Sequence, residues 1–314
     1  MSCPSCLTGG TSTSSPKGTT STIHGLPTYI ASPPPGTSPK GLIVLITDAF
    51  GWDFVNNRVL ADHYAERGGY LVYVPDFMNG KAMSPAAITL MDNLTTPAPT
   101  WLSAIIHKPL WAIQLLRLAI PWKSACEPAK THPGVISFLH SLRTSTPPFP
   151  TGPHGLKIGV AAFCWGGKHA FMLAQPSPGS NQNPDQNQNS DIKEDLINCI
   201  FTAHPSYIAI PSEVQNIHIP TSVIVGSSDA VLKHPQALEM QQILAAKRDC
   251  EMVILEGAKH GFAIRTHPDD EREMEMAMWA EEQALAWFER WLGSGPVVGT
   301  SVPGAGAEVS GMEG

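Results

Sequence analysis

The stretch KIGVAAFCWGG, residues 157–167, decides how the rest of the chain is interpreted. Its first part, Ile158 to Phe163, is a short apolar run with the length and composition of a buried β-strand. Cys164, Trp165 and two glycines follow it, and then comes an apolar segment, Lys168 to Ala174, that is typical of a helix. The sequence here predicts a strand, a sharp turn that carries a nucleophilic thiol, and a helix.

Small residues are needed on both sides of such a turn because the strand and the helix come close together. A nucleophile at this kind of turn is ordinarily found in the pattern Gly-x-Ser-x-Gly. Residues 162–166 read Ala-Phe-Cys-Trp-Gly, so cysteine replaces serine and alanine replaces the first glycine, with slightly more crowding. A cysteine after an apolar strand is also compatible with a plain buried hydrophobic residue, so the interpretation of Cys164 depends on the rest of the chain.

The composition predicts a globular protein with a sizeable core, since 42% of its 314 residues are hydrophobic and 15% are charged. The formal net charge of -7 argues against a nucleic-acid-binding surface. No apolar run has the length of a membrane span, and the first residues lack the basic and then apolar pattern of a secretory signal. We therefore expect a cytoplasmic protein with no nucleic-acid partner and no membrane partner.

The six cysteines are spread too widely to indicate a disulfide framework, which fits a reducing compartment. Cys3 and Cys6 form a CxxC, a spacing found in metal sites and in redox sites. A four-thiolate zinc site needs a second close pair or nearby histidines, and a thioredoxin-like CxxC should open a helix after a strand. Neither context surrounds this pair. We therefore expect no metal and no cofactor, while the role of the pair stays open.

Apolar runs typical of buried strands occur at 24–32, 41–47, 70–74, 158–163, 197–203, 221–226 and 251–255. Segments typical of helices lie between or after them, at 56–67, 101–120, 132–143, 168–174 and 270–292. This alternation predicts an α/β fold with a mostly parallel, doubly wound sheet and helices on both faces. On the last helix, five apolar residues at helical spacing predict the face that packs on the core: Met274, Met278, Leu285, Phe288 and Leu292.

Outside the sheet, the composition predicts where the domain begins and ends. Residues 1–20 are rich in Ser, Thr and Gly and are expected to be flexible, and one domain is expected over 21–292. Residues 176–190 have essentially no apolar content, which predicts a disordered insertion, and 293–314 are expected to form a loose tail. The segment 100–120 is compatible both with a cap beside the functional site and with an ordinary crossover helix.

Polar side chains follow several of the predicted strands at the point where each strand ends. In a parallel sheet of this kind, ligands bind beyond the carboxyl ends of the strands. Asp48, Cys164, His204, Asp229 and His260 each lie just past such an end. We therefore expect these residues, which are distant along the chain, to lie on one rim of the sheet.

The order nucleophile, acid, histidine along the chain is that of α/β-hydrolases, and here it is Cys164, Asp229, His260. His260 would take the proton from the thiol, and Asp229 would orient the imidazole and stabilise its charged form. A turn residue at 229 and an ordinary rim histidine at 260 are the alternatives for each residue taken alone. The expected oxyanion donors are the backbone N–H groups of Ala49 and Trp165.

The segments CPSC, IHGLPTYIA, LITDAFGW, YLVYVPDF, FCWGG, VGSSD and KHGFAIR, spread over about residues 1–265, resemble the dienelactone hydrolase family and most of all its fungal branch. The resemblance implies an α/β-hydrolase domain over 21–292 that cleaves an ester, lactone or thioester of a small molecule through a cysteine acyl-enzyme. No cofactor is expected, and the chain is expected to be a monomer or a weak homodimer. The alternatives are a hydrolase-fold binding or regulatory protein without turnover and a thioesterase of secondary metabolism.

The resemblance also implies an acidic residue that contacts the resting nucleophile. Asp48 occupies that position, where the bacterial enzymes carry Glu. A nearby carboxylate disfavours a thiolate and can accept the S–H hydrogen bond, so substrate that displaced it would pass the sulfur to His260. Because Asp is one methylene shorter than Glu, the effect is expected to be weaker or absent. The alternative is that Asp48 caps the following helix.

The bacterial enzymes of the family hold a substrate carboxylate with two arginines, and this chain departs from that pattern. Arg265 lies close to the expected place but is displaced by one position, and Lys81 matches the second place only approximately. A small dienelactone substrate is therefore in doubt. Trp52, Trp165 and His204 are expected to shape a larger, more aromatic substrate pocket instead.

Overall fold

One sheet of eight strands forms the centre of the protein, in the order β1-β2-β4-β3-β5-β6-β7-β8. The structure is a computed structural model, and it describes residues 10–98, 100–153, 155–176, 196–267 and 269–293. The strands are β1 (Thr19–Ile23), β2 (Leu26–Ala31), β3 (Leu42–Ile46), β4 (Leu71–Pro75), β5 (Ile158–Phe163), β6 (Cys199–Ala203), β7 (Thr221–Gly226) and β8 (Cys250–Leu255). β1 pairs with β2 and β2 with β4 in antiparallel fashion, and all the other pairs are parallel.

Helices cover both faces of this sheet. They are α1 (Val55–Gly68), α2 (Ala86–Thr95), α3 (Trp101–Ala125), α4 (Pro128–Thr144), α5 (Trp165–Leu173), α6 (Ser212–Gln215), α7 (His234–Ala245) and α8 (Glu271–Leu292). The prediction of a mostly parallel α/β sheet is confirmed. The short strand β1 and the helices α2, α6 and α7 were not predicted from the sequence.

The strands β3 to β7 are apolar at almost every position because both of their faces are buried. Successive side chains of β3 point to opposite faces. Ile43 and Leu45 belong to the core that α1 and α8 cover, whereas Leu42, Val44 and Ile46 belong to the core that α4, α5 and α7 cover. The sheet is therefore the middle of three layers.

The prediction of which face of α8 packs on the core is wrong at its first two residues. Phe288 and Leu292 are buried, but Met274 is 40% exposed and Met278 is 54% exposed. The first half of α8 instead packs through Met276. The face of a helix that its neighbours cover is set by tertiary packing, and the spacing of the methionines did not reveal it.

The first described residues belong to the segment 1–20, whose flexibility stays a prediction. Residues 10–18 lie against the domain: the Ser12 N–H donates to Asn56 Oδ1 (2.8 Å), the Lys17 N–H donates to Asp62 Oδ2 (2.8 Å), and β1 begins at Thr19. Asn56 and Asp62 of α1 accept these two hydrogen bonds, and the Ser- and Thr-rich composition of the segment did not predict them. The predicted insertion from residue 177 onward, the tail from residue 294 onward, and the Cys3–Cys6 pair lie outside the described residues.

The segment expected to be either a cap or a crossover helix is α3, which is longer than predicted at its C-terminal end. It lies in the connection from β4 to β5 and packs against α2. Leu115, Leu118 and Trp122 pack on the same apolar cluster that contains Cys164. Its role as a cap stays a prediction.

The turn between β5 and α5 explains why glycine is required at 166 and 167. A Cβ on Gly166 would lie well inside van der Waals contact with the Ile46 carbonyl oxygen, and one on Gly167 would lie 2.5 Å from Pro205 Cβ. Both close approaches bring α5 against the ends of β3 and β6. The short distance between α5 and the sheet is therefore possible only because residues 166 and 167 have no Cβ atom.

We predict that Gly166→Ala lowers the free energy of unfolding by at least about 2 kcal/mol, because the new methyl group meets backbone that cannot move away cheaply. Gly134→Ala in α4 is the matched control, since a Cβ there has open space around it. That control should be neutral or stabilised by up to about 1 kcal/mol, because alanine favours a helix. Urea unfolding of both variants measures the difference, and equal stabilities would contradict the account.

Candidate active site

The thiol of Cys164 stands on a strained backbone at the end of β5. Its φ is 51° and its ψ is -109°, a conformation that a non-glycine residue seldom adopts. Four main-chain hydrogen bonds hold the turn in this conformation. The Cys164 N–H donates to Ala203, the Ser206 N–H donates to Cys164, the Gly166 N–H donates to Thr47, and the Gly167 N–H donates to Cys164. The thiol is therefore fixed at the first turn of α5, where the partial positive charge of a helix N-terminus favours thiolate.

His260 and Asp229 form a buried pair beside this thiol. The distance from His260 Nδ1 to Asp229 Oδ2 is 2.8 Å, and neither side chain is exposed. The Asp229 loop is held in turn by its Oδ1, which accepts the N–H groups of Val231 (2.7 Å) and Leu232 (3.1 Å). The imidazole is therefore oriented with its Nδ1 toward the carboxylate.

The other nitrogen of this imidazole faces the sulfur side of the site. Burial on its own lowers the pKa of His260, but the negative charge of Cys164, the Asp229 hydrogen bond and a hydrogen bond with Cys164 outweigh it and raise the pKa to about 9. Cys164, His260 and Asp229 are therefore electrostatically coupled in series. The structure places these three side chains beside one another, and their catalytic roles stay a prediction.

Ser206 also lies in this site, although it was not among the residues predicted from the sequence. Its hydroxyl lies 3.4 Å from Cys164 Sγ and 3.4 Å from His260 Nε2, and the residue is buried. It follows β6 by three residues, so the rule that polar residues past strand ends meet at one rim could have found it. His204, which comes two residues earlier, was selected instead.

His204 occupies a different place from the predicted substrate pocket. It is completely buried, and its ring packs against His260 with a centroid separation of 5.0 Å and against Phe262 with 5.6 Å. Burial lowers the pKa of His204 well below its usual value, and the neighbouring charges of His260 and Arg265 lower it further. The neutral, fully buried ring of His204 therefore packs against the imidazole of His260 and helps to hold it in position.

Asp48 and Arg265 form a buried ion pair. Arg265 Nη1 donates to Asp48 Oδ2, Asn57 Nδ2 donates to Asp48 Oδ1 (3.0 Å), and the Phe50 N–H donates to the same oxygen (3.2 Å). Burial raises the pKa of Asp48, the charge of Arg265 opposes that effect, and the charge of Cys164 raises it further. Asp48 is therefore within electrostatic range of the thiol, but its hydrogen bonds go to Arg265, Asn57 and Phe50.

This arrangement changes two expectations. Asp48 does not cap the following helix, because α1 begins after Phe54 without a side-chain cap. Arg265 is directed to Asp48 and its side chain is 0% exposed, so it is not presented on the surface as a simple anchor for a substrate carboxylate. Arg265 does border a cavity of about 220 Å³ that also reaches His260, Phe262 and Met276.

The remaining predicted binding residues are Trp52, Lys81 and Trp165. Trp52 is half-buried with the Arg58 guanidinium 4.7 Å from its ring centre, and Lys81 is exposed between β4 and α2. The Trp165 ring does not face the substrate side, because its Nε1 donates to the Cys126 carbonyl (2.7 Å) and it packs on His169 in the layer of α4 and α5. A substrate-binding role for Trp52 and Lys81 stays a prediction.

The backbone donors expected for an oxyanion stand on two connected loops. Trp165 begins α5, and Ala49 follows β3 in the loop that the Gly166 N–H holds through Thr47 (3.0 Å). Within the described ranges, neither the Ala49 N–H nor the Trp165 N–H donates to another protein group. Both amides are therefore available to an oxygen atom of a ligand beside Cys164.

The parallel sheet, the strained elbow and the residues at its rim define an α/β-hydrolase fold. A putative dienelactone hydrolase structure from Klebsiella pneumoniae aligns over 88% of this chain and 98% of its own, with a TM-score of 0.55 and 18% identity. A dienelactone hydrolase structure from Anabaena variabilis aligns over 88% and 97%, with a TM-score of 0.52 and 14% identity. At these identities the likeness concerns the fold.

Sequence comparisons point to the same group of proteins as the fold does. The dienelactone hydrolase family model matches residues 190–292. Hydrolase pyvD of Aspergillus violaceofuscus is 24% identical over 91% of this chain and 96% of its own length, and Dienlactone hydrolase 1 of Gibberella moniliformis is 23% identical over 91% of each. The Carboxymethylenebutenolidase homolog of Mus musculus is 27% identical over 72% of each chain. The chain is therefore similar to the dienelactone hydrolase family, and the fungal relatives match more of it than the mouse protein does.

We predict that Asp48→Asn destabilises the protein by about 3–5 kcal/mol, because it leaves the Arg265 guanidinium buried without a counter-charge. The control is Glu66→Gln, which removes the exposed ion pair with Lys17 and should cost no more than about 1 kcal/mol. Thermal and urea unfolding measure the loss of stability of each variant relative to wild type. A loss for Asp48→Asn no larger than that of the control would contradict the assignment of this pair as a structural element of the site.

Proposed function

We propose that the protein hydrolyses an ester or a lactone of a small molecule, with Cys164 as nucleophile, His260 as acid and base, and Asp229 as the orienting carboxylate. The proposal is supported most directly by the arrangement of three buried groups. The Cys164 sulfur stands on a strained turn, and the His260 imidazole lies between it and the Asp229 carboxylate. The match of residues 190–292 to the dienelactone hydrolase family model and the names of the similar proteins support it.

In the first half of the proposed reaction, the Cys164 thiolate attacks the carbonyl carbon and the carbonyl oxygen becomes an oxyanion. The N–H groups of Ala49 and Trp165 would hold this oxygen. Imidazolium at His260 then gives its proton to the leaving oxygen while the bond from carbon to that oxygen breaks. A raised pKa of about 9 keeps His260 protonated at neutral pH, which suits it to be this acid. The product is a thioester on Cys164.

In the second half, neutral His260 takes a proton from water, and the hydroxide formed attacks the thioester carbonyl. The tetrahedral species collapses, the bond from carbon to sulfur breaks, and the acid product leaves with Cys164 as thiolate beside imidazolium. Asp229 accepts the Nδ1 hydrogen bond throughout and stabilises the imidazolium in both halves. No metal or organic cofactor takes part in these steps.

The class of substrate depends on whether the site contains a cation that could bind a substrate carboxylate. Because Arg265 is paired with Asp48, its charge is already balanced, unlike that of the substrate-binding arginines which the resemblance implies for the bacterial enzymes. We propose that the substrate is an uncharged ester or lactone, held by apolar contacts, in preference to a small dienelactone carboxylate. The free cysteines at 126, 164, 199 and 250 fit a protein that works, as we propose, in the reducing cytoplasm.

We predict that Cys164→Ala lowers the hydrolysis of aryl esters and lactones by at least about 10³-fold, because the group that forms the covalent intermediate is gone. The measurement is a screen of lactones, aryl esters and thioesters against wild type and variant, with thermal unfolding to show that both are folded. Cys250→Ala, on the edge strand β8, is the control and should keep its activity. Unchanged turnover in Cys164→Ala would refute the proposal.

A further inference from the structure

The outward face of α3 is an extensive exposed apolar surface. Among its residues, Trp101 is 75% exposed, and Ile105 and Ile120 are each 62% exposed. Five further large apolar side chains of the helix are about half exposed: Leu102, Ile106, Leu110, Ile113 and Leu116. Single exposed apolar side chains are ordinary, but a continuous group of this size marks an interaction surface.

Helix geometry separates this surface from the side of α3 that packs on the domain. Leu115, Leu118, Ala119 and Trp122 face the core. With about 3.6 residues per turn, the positions 102, 106, 113 and 120 fall together on the opposite side. The exposed apolar face therefore runs along nearly the whole helix and is not a frayed end.

The charge around this face is positive, although the chain as a whole carries a formal charge of -7. No Asp or Glu occurs between Asp92 and Glu127, whereas Lys108, Arg117 and Lys123 lie on the helix. Lys108 is bound to the Leu94 carbonyl (3.0 Å), whereas Arg117 and Lys123 are exposed, Arg117 among the apolar residues and Lys123 near the C-terminal end of the helix. The surface is thus apolar and cationic at once.

We propose that α3 docks this protein onto an anionic lipid surface. An amphipathic helix with Trp, Leu and Ile on one side and basic residues along its border lies in the plane of the membrane interface. The apolar face would enter the boundary between headgroups and acyl chains, while Arg117 and Lys123 contact anionic headgroups. Within the described part of the chain, none of the helices has the length and apolar character needed to span a bilayer.

A second copy of the chain fits this surface less well. A two-fold contact would place α3 against α3, and the exposed Arg117 and Lys123 of each copy would then meet a helix without a single carboxylate. The docking also differs from the expectation of no membrane partner, which rested on the absence of a spanning segment. An interfacial helix leaves no such segment in the sequence.

The test is sedimentation of the full chain with vesicles of phosphatidylcholine alone and of phosphatidylcholine with phosphatidylserine. Wild type should bind the anionic vesicles and be released by high salt. Ile113→Asp should reduce binding at least about fivefold, since it places a charge in the centre of the apolar face. Arg117→Gln should weaken binding to anionic vesicles without disturbing the apolar face. Leu238→Asp on α7, where the leucine is 41% exposed, is the matched control and should bind as wild type does.

Two results would overturn the proposal. The first is wild type that fails to bind anionic vesicles, or Ile113→Asp that binds them as well as wild type. The second is a wild-type dimer that Ile113→Asp converts to a monomer while neither sediments with vesicles, because a second copy then covers the face. Thermal unfolding and hydrolysis of a soluble aryl ester should be unchanged in Ile113→Asp, which separates a lost docking surface from a damaged hydrolase.

Discussion

The close approach of α5 to the ends of β3 and β6 is the constraint on which the rest of the site depends. Gly166 and Gly167 permit it, and the positive φ of Cys164 is its consequence in the backbone. The same approach joins the Ala49 loop to the elbow through the bond from the Gly166 N–H to Thr47. One packing contact thus positions the N-terminus of α5, the proposed nucleophile and the proposed oxyanion donors.

Two buried charge systems meet around this contact. One is the series of Cys164, His260 and Asp229, in which attraction between opposite charges outweighs the cost of burying an imidazolium. The other is the pair of Asp48 and Arg265, whose carboxylate is surrounded by hydrogen-bond donors. Because Asp48 has its own cation, its negative charge is balanced next to the thiol. In the mechanism that we propose, His260 is then the group that exchanges protons beside the Cys164 sulfur.

The sequence predicted the parts of this structure that periodicity and chain order encode. Buried parallel strands are recognisable because both faces demand apolar residues, and residues past their carboxyl ends share a rim whatever their distance along the chain. Cys164, Asp229 and His260 were selected in this way, and they lie beside one another in the structure. The contacts of Ser206 and the pairing of Arg265 with Asp48 were not, because they depend on side-chain direction at the rim, which no spacing reveals. The exposure of α3 was not predicted for a related reason. The sequence of an apolar helix has the same pattern whether its outer face is covered by other residues or exposed to solvent.

The most direct test of the account is the chemical identity of the intermediate. Wild-type protein is mixed with an aryl ester, quenched in acid during turnover, digested and examined by mass spectrometry. The account predicts the mass of the acyl group on the peptide that contains Cys164. An acyl group on Ser206, whose hydroxyl also lies beside His260, or steady turnover with no acylated peptide, would contradict it.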